Sequence, residues 1–136
     1  MKYQIIKNGT DDYTLKYKDK EIKFHSDVET VTELQRVNEI GKQRMIIDLA
    51  KQGVTINELV KEVKKDGKTY YDNSNKDEMI KVYATRVAEE LFNKAVKKML
   101  GMELTELVKE LNIETQEEVD KLSTELGEVM VGRFQG

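Results

Sequence analysis

The chain contains no proline in 136 residues, where average usage near 5% would give about seven. Proline lacks the backbone amide donor and clashes with the preceding helical turn, so its absence removes the strongest helix breaker. This feature favours long, uninterrupted helices. Cysteine and tryptophan are also absent, and histidine occurs once. Without cysteine, neither a disulfide nor a thiolate metal site can form. We therefore expect a non-enzymatic protein with no catalytic residues, no metal and no cofactor.

The length of the chain is typical of one domain, and we predict a single domain over residues 1–136. No run of apolar residues approaches the roughly 18 that a membrane span needs, and no basic-led apolar leader opens the chain. These observations predict a soluble, cytoplasmic protein that has no membrane partner. Length and composition are also compatible with a homo-oligomer.

Residues 1–25 show the period-two alternation of strands. Tyr13, Leu15 and Tyr17 would share one face of a strand, and Ile22 and Phe24 one face of the next. Asn8-Gly9 is a preferred pair for a tight hairpin turn, and Asp19-Lys20 is a second turn candidate. We predict a small antiparallel β-meander here.

Residues 26–136 show helical spacing, and capping boxes divide them. Ser26-Asp27-Val28-Glu29 predicts a helix that extends to Gly53, with a kink at Gly41. Thr55-Ile56-Asn57-Glu58 predicts a second helix to about Lys65, which Asp66-Gly67 ends, and the segment 68–75 is the most loop-like. A long helix from residue 75 to residue 100 and two short helices in the tail follow. The predicted fold class is α+β, helix-dominated, with a β-meander followed by four to five helices.

The acidic C-terminal region, residues 103–136, carries nine acids against three bases, a net charge of −6, whereas the whole chain is −3 and the residues before this region are therefore +3. The simpler interpretation is a solvated helical face. The alternative is an acidic arm for a basic partner.

Three motifs that resemble functional sites lack an essential member. Gly67-Lys68-Thr69 matches the end of a phosphate-binding loop, but Glu62 stands where that motif needs glycine. His25 is the only imidazole, so we interpret it as an edge-strand residue before a helix. Residues 72–77 resemble a calcium loop, but Lys76 occupies the position of an oxygen ligand.

Two groups of residues remain as candidate binding sites. Lysines followed by tyrosines could hold phosphates while the rings stack on bases; this nucleic-acid candidate comprises Lys64, Lys65, Lys68, Tyr70 and Tyr71. The chain ends with apolar residues in excess of what a small core requires, and these could dock on a partner helix. This protein-binding candidate comprises Leu126, Val129, Met130 and Phe134.

The order of elements resembles a known group of proteins. A short meander (YTLKYKDKEIKF), capped helices and the tail MLGMELTELVKELNIETQEEVDKL are similar to the small proteins of long-tailed phages of Gram-positive bacteria, above all to tail-assembly chaperones. The resemblance covers element order and length, and no invariant motif or functional residue is carried over. It implies a non-enzymatic protein of the host cytoplasm that coats a helical tape-measure protein and recruits tail-tube subunits. The alternative is a small phage accessory protein that binds nucleic acid or a host factor through the lysine and tyrosine segment.

Overall fold

The computed structural model describes residues 2–135. An N-terminal antiparallel sheet is followed by five α-helices, with 56% of the residues in helices and 19% in strands. These proportions confirm the prediction of an α+β, helix-dominated fold. The elements in chain order are β1 (Gln4–Lys7), β2 (Asp12–Tyr17), β3 (Lys20–His25), α1 (Val28–Leu34), α2 (Val37–Lys51), a 3₁₀ helix (Ile56–Leu59), β4 (Lys61–Lys65), β5 (Lys68–Asp72), α3 (Ser74–Leu100), α4 (Leu104–Glu110) and α5 (Gln116–Met130). No helix within residues 2–135 has the length and apolar character of a membrane span.

The predicted meander forms with strand order β1-β2-β3. Tyr13, Leu15 and Tyr17 are buried on one face of β2, as their alternation predicted. The turns differ from the prediction. The first connection is a loop of residues 8–11, because neither Asn8 nor Gly9 has the positive φ that a two-residue turn requires. The second turn lies one residue earlier than predicted, with Lys18 at φ 51°.

The first predicted helix is divided in two. α1 begins after Asp27, whose carboxylate accepts the Thr30 amide at 3.3 Å, so Asp27 caps the helix and Ser26 does not. The chain turns at residues 35 and 36 and then resumes as α2. α2 continues through Gly41 as one helix. A Cβ at Gly41 would lie 2.7 Å from the backbone nitrogen of Ala84, so glycine there permits close contact with α3.

The described residues group into two compact units. The first comprises the residues up to Leu34 and those from Glu90 onward, and the second is Gln35–Glu89. The core of the first unit joins the meander to the end of α3 and to α4 and α5. The single domain over residues 1–136 stays a prediction.

The second unit is built on α2 and the first part of α3. Gly41, near the start of α2, lies against Ala84, whereas Leu49, near its end, lines one groove with Asn75 and Met79 near the start of α3. The two segments therefore run antiparallel.

The prediction for residues 55–75 is wrong. Thr55 precedes only the short 3₁₀ helix and its side chain makes no capping hydrogen bond, and residues 61–65 and 68–72 form an antiparallel hairpin instead of a helix and a loop. The hairpin forms because Asp66 and Gly67 both adopt positive φ, 55° and 72°, which matches the geometry of a two-residue hairpin turn. Such a turn brings the flanking residues into strand pairing.

The later helices follow the prediction closely. α3 ends before Gly101, which has φ 73°. The Thr115 hydroxyl accepts the Glu118 amide at 3.2 Å and donates to the Glu118 carboxylate at 3.0 Å, so Thr115 caps the start of α5.

Candidate binding hairpin

The most exposed regular element of the chain is the hairpin of β4 and β5. All ten strand residues are exposed, including Val63 at 44%, Tyr70 at 53% and Tyr71 at 68%. Large apolar side chains gain free energy when they leave water, and this hairpin keeps three of them in it. We therefore treat the hairpin, residues 61–72, as the candidate site.

The register assigns the side chains of the hairpin to two opposite faces. Directly opposed residues in an antiparallel pair point to the same face, and successive residues alternate. Val63 pairs with Tyr70 and Glu62 pairs with Tyr71. One face, here called the Tyr70 face, carries Lys61, Val63, Lys65, Lys68, Tyr70 and Asp72. The opposite face, the Tyr71 face, carries Glu62, Lys64, Thr69 and Tyr71.

This division separates the five residues of the nucleic-acid candidate. Lys65, Lys68 and Tyr70 lie together on the Tyr70 face, whereas Lys64 and Tyr71 lie on the other. The Tyr70 face bears three lysines and one acid, and the Tyr71 face bears one of each. Val63 and Lys61 belong to the Tyr70 face but were absent from the candidate set. The Asp66-Gly67 pair was the signal that could have identified them.

The hairpin joins α3 through a local hydrogen-bond network. Asp72 Oδ1 accepts the Ser74 amide at 2.9 Å and the Ser74 hydroxyl at 2.5 Å. These hydrogen bonds, with the charge of Lys61, lower the pKa of Asp72 below its usual value. The carboxylate is therefore ionised at neutral pH, where it holds the end of β5 to the first turn of α3.

Both outer edges of the hairpin are unpaired. Within the part of the chain that the structure describes, the sheet of the second unit contains β4 and β5 and no further strand. An unpaired edge exposes a row of backbone amides and carbonyls that can pair with another strand. The hairpin therefore offers apolar side chains, lysines and backbone hydrogen-bonding groups together.

The C-terminal candidate set lies elsewhere, in the core of the first unit. Leu126, Val129, Met130 and Phe134 are at most 8% exposed, and Phe134 contacts the Tyr13 ring edge-on at 6.3 Å. The interpretation of these four side chains as an apolar ending beyond the core is wrong, because they pack in that core with side chains of the meander, the end of α3 and α4. Within the part of the chain that the structure describes, these four side chains form no exposed patch.

Acids of the C-terminal region contact bases and hydroxyls of the first unit. Lys2 lies 3.1 Å from Glu118, and Lys20 lies 3.2 Å from Glu110. The Tyr3 hydroxyl donates to Glu125 at 3.2 Å beside a cleft of about 540 Å³. Burial and the charge of Glu125 raise the pKa of Tyr3 well above its usual value. These contacts favour the interpretation of a solvated helical face.

The remaining sequence candidates have local structural explanations. His25 ends β3, and its Nδ1 lies 2.5 Å from Asp12 Oδ1 on an exposed surface. Gly67, from the phosphate-loop resemblance, forms the hairpin turn. Among residues 2–135, no three His, Cys, Asp or Glu side chains group in a way that could hold a metal ion.

Comparisons of the chain with protein-family models, curated proteins and solved structures find no match. The function of the hairpin must therefore be inferred from its own residues.

Proposed function

We propose that this chain is a non-enzymatic protein-binding or assembly factor, and that the hairpin is its binding element. The observation that carries the proposal is that every residue of β4 and β5 is exposed, with Val63, Tyr70 and Tyr71 among the exposed side chains. Covering one such side chain contributes up to about 1.5–3 kcal/mol. A partner that covers either face therefore gains free energy that the isolated chain does not.

The more specific proposal is a phage tail-assembly chaperone that shields a helical tape-measure protein and recruits tail-tube subunits. Its support is the resemblance in element order and the supply of exposed apolar side chains on the hairpin. Apolar side chains of this kind can cover the apolar stripe of a partner helix. Lysines at the margin of the Tyr70 face would then meet acidic residues that flank such a stripe.

A capture experiment with matched variants tests the proposal. Tagged full-length chain is incubated with nuclease-treated lysate of a phage-infected Gram-positive host, and retained proteins are quantified by mass spectrometry. Val63→Asp places a charge on the Tyr70 face, and Val131→Asp makes the same change at an equally exposed site of the first unit, 45% against 44%.

We expect a long helical tail protein or a tail-tube subunit to be retained by the wild type and by Val131→Asp. Retention by Val63→Asp should fall at least about tenfold, because charge burial opposes the contact. Equal retention by both variants would show that the hairpin is not the binding element.

A second candidate function, nucleic-acid binding, draws support from the Tyr70 face alone. Lys65 and Lys68 lie beside Tyr70 there, and a two-stranded ribbon fits the major groove of DNA. If this face binds nucleic acid, Lys65→Gln and Lys68→Gln should each reduce the salt dependence of binding by about one unit of slope. Lys64→Gln, on the Tyr71 face, should leave the slope unchanged. Retention of partners that ends on nuclease treatment would favour this function over the first.

A further inference from the structure

The charge pattern of β5 is complementary to itself. The strand reads Lys68-Thr69-Tyr70-Tyr71-Asp72, with a base at one end and an acid at the other. If a second copy of β5 pairs antiparallel with Tyr70 opposite Tyr70, each Lys68 lies opposite an Asp72. Opposite charges that face each other across two strands stabilise the pair, and like charges destabilise it.

The backbone of β5 offers the groups that this pairing needs. Lys65 and Lys68 flank the two-residue turn, where hairpin hydrogen bonds begin, and hydrogen-bonded pairs then alternate along the strands. Lys68, Tyr70 and Asp72 therefore direct their backbone groups toward β4. Thr69 and Tyr71 direct theirs to the free edge. In the pairing centred on Tyr70, Thr69 of one copy meets Tyr71 of the other as a hydrogen-bonded pair.

The other free edge is less complementary to itself. β4 reads Lys61-Glu62-Val63-Lys64-Lys65. When two copies of β4 are paired about Val63, Lys61 faces Lys65 in two places and Glu62 faces Lys64 in two places, so two pairs of like charges offset two pairs of opposite charges. The charge pattern therefore favours β5 over β4 as the edge that joins two copies.

We propose that the partner of the β5 edge is a second copy of this chain, so that two hairpins form one four-stranded antiparallel sheet. The proposal rests on the proposed role of the hairpin as the binding element and names its partner at one edge. A two-stranded hairpin is only marginally stable in water, and sheets of three or more strands are more stable. In the joined sheet, Val63 and Tyr70 of both copies form one apolar row on the Tyr70 face. The bonds of Asp72 to Ser74 use Oδ1, and Oδ2 is left for Lys68 of the second copy.

Cysteine cross-linking tests the register, because the chain has no cysteine of its own. The two Tyr70 positions would be directly opposite, with Cβ atoms about 4.5–5.5 Å apart, which is within the range of a disulfide. The two Val63 positions lie on the same face but three strand spacings apart, roughly 14 Å. Tyr70→Cys should therefore oxidise to a covalent dimer at dilute concentration, and Val63→Cys should not. Equal cross-linking of both variants, or of neither, would overturn the proposed register.

Charge reversal tests the pairing in a second way. Sedimentation velocity of the wild type over a concentration series should show a reversible dimer. Lys68→Asp sets one carboxylate opposite Asp72 in each of two places, so the dimer Kd should rise about tenfold or more. Asp72→Lys should weaken the dimer for the same reason, and a mixture of the two variants should recover it as a heterodimer. Lys64→Asp, with the same charge change on β4, is the control and should remain a dimer.

The results separate this inference from the proposed function. A wild type that stays monomeric across the series, or a dimer that tolerates Lys68→Asp, would overturn self-pairing, and capture by the Tyr70 face would still be measurable. A dimer that shows no difference in capture between Val63→Asp and Val131→Asp would contradict the proposed function and leave self-pairing in place.

Discussion

Helix propensity and packing predict opposite effects of Gly41→Ala on the free energy of unfolding. Gly41 lies inside α2, where alanine is more favourable than glycine by about 1 kcal/mol. The structure opposes this gain, because a Cβ there would lie 2.7 Å from Ala84 N, 3.0 Å from Ala84 Cα and 3.1 Å from the carbonyl carbon of Tyr83. These three atoms are backbone, so no side-chain rotation can relieve the contact, and α2 and α3 must move apart.

The packing effect should exceed the propensity gain. Inserting extra atoms into a well-packed contact costs about 1–3 kcal/mol, so we expect a net loss of about 1 kcal/mol or more in the free energy of unfolding. Gly127→Ala in α5 is the matched control, because a Cβ there meets no atom of the described residues within 4 Å and the φ of Gly127 is not positive. This variant should gain about 0.5–1 kcal/mol.

Urea unfolding of both variants, monitored by far-UV circular dichroism, measures the change in the free energy of unfolding that each substitution causes. Equal stabilisation by Gly41→Ala and Gly127→Ala would refute the close contact of α2 with α3. A loss of stability in both variants would contradict the open space around Gly127.

Three further predictions concern the first unit. Burial alone would raise the pKa of Asp27, but hydrogen bonds from Thr30 and the charge of Lys98 lower it below the usual value. The ionised carboxylate therefore stabilises the fold above its unfolded pKa, near 4, and this stabilisation is lost as the pH falls through the folded pKa. Asp27→Asn should accordingly reduce the loss of unfolding free energy at acid pH, and an unchanged acid dependence would contradict this role of Asp27. The buried hydroxyl of Tyr13 has no hydrogen-bond partner among residues 2–135, so Tyr13→Phe should leave the free energy of unfolding unchanged or raise it. A loss above about 1 kcal/mol in urea unfolding would indicate that the hydroxyl is hydrogen-bonded. Leu126 is fully buried, so Leu126→Ala should lower the free energy of unfolding in urea by about 2–5 kcal/mol. A near-neutral result would contradict the burial of Leu126 in the core.

The sequence predicted elements whose signals are local. The meander formed because apolar and polar residues alternate along β2, and α5 begins where the Thr115 side chain caps the helix. Positive φ at Gly53 and Gly101 matches the predicted helix ends. Each of these features depends on a few neighbouring residues, so it can be recognised without knowledge of the rest of the fold.

Residues 56–72 show why the prediction failed elsewhere. Ile56, Leu59 and Val63 have helical spacing, which predicted a helix to about Lys65. The Asp66-Gly67 turn instead pairs the residues on either side of it, and the resulting strand ladder replaces the helix. Helical spacing does not determine the secondary structure here, because all residues of β4 and β5 are exposed. No buried apolar face therefore favours a helix over the hairpin.

The candidate site was partly accessible from sequence. The lysine and tyrosine pattern identified five residues of the hairpin, but the pairing register decides which of them share a face. Lys64 and Lys65 are adjacent in sequence and point to opposite faces. Burial of the C-terminal set depends on how α5 packs against the meander, which local patterns do not encode.

Hydrogen–deuterium exchange of the full-length chain, free and in complex with its captured protein, tests the central claim most directly. The account predicts that backbone amides of residues 61–72 gain protection in the complex, while those of α4 in the first unit exchange as they do in the free chain. Unchanged exchange across residues 61–72, with protection gained elsewhere, would contradict the assignment of the hairpin as the binding element.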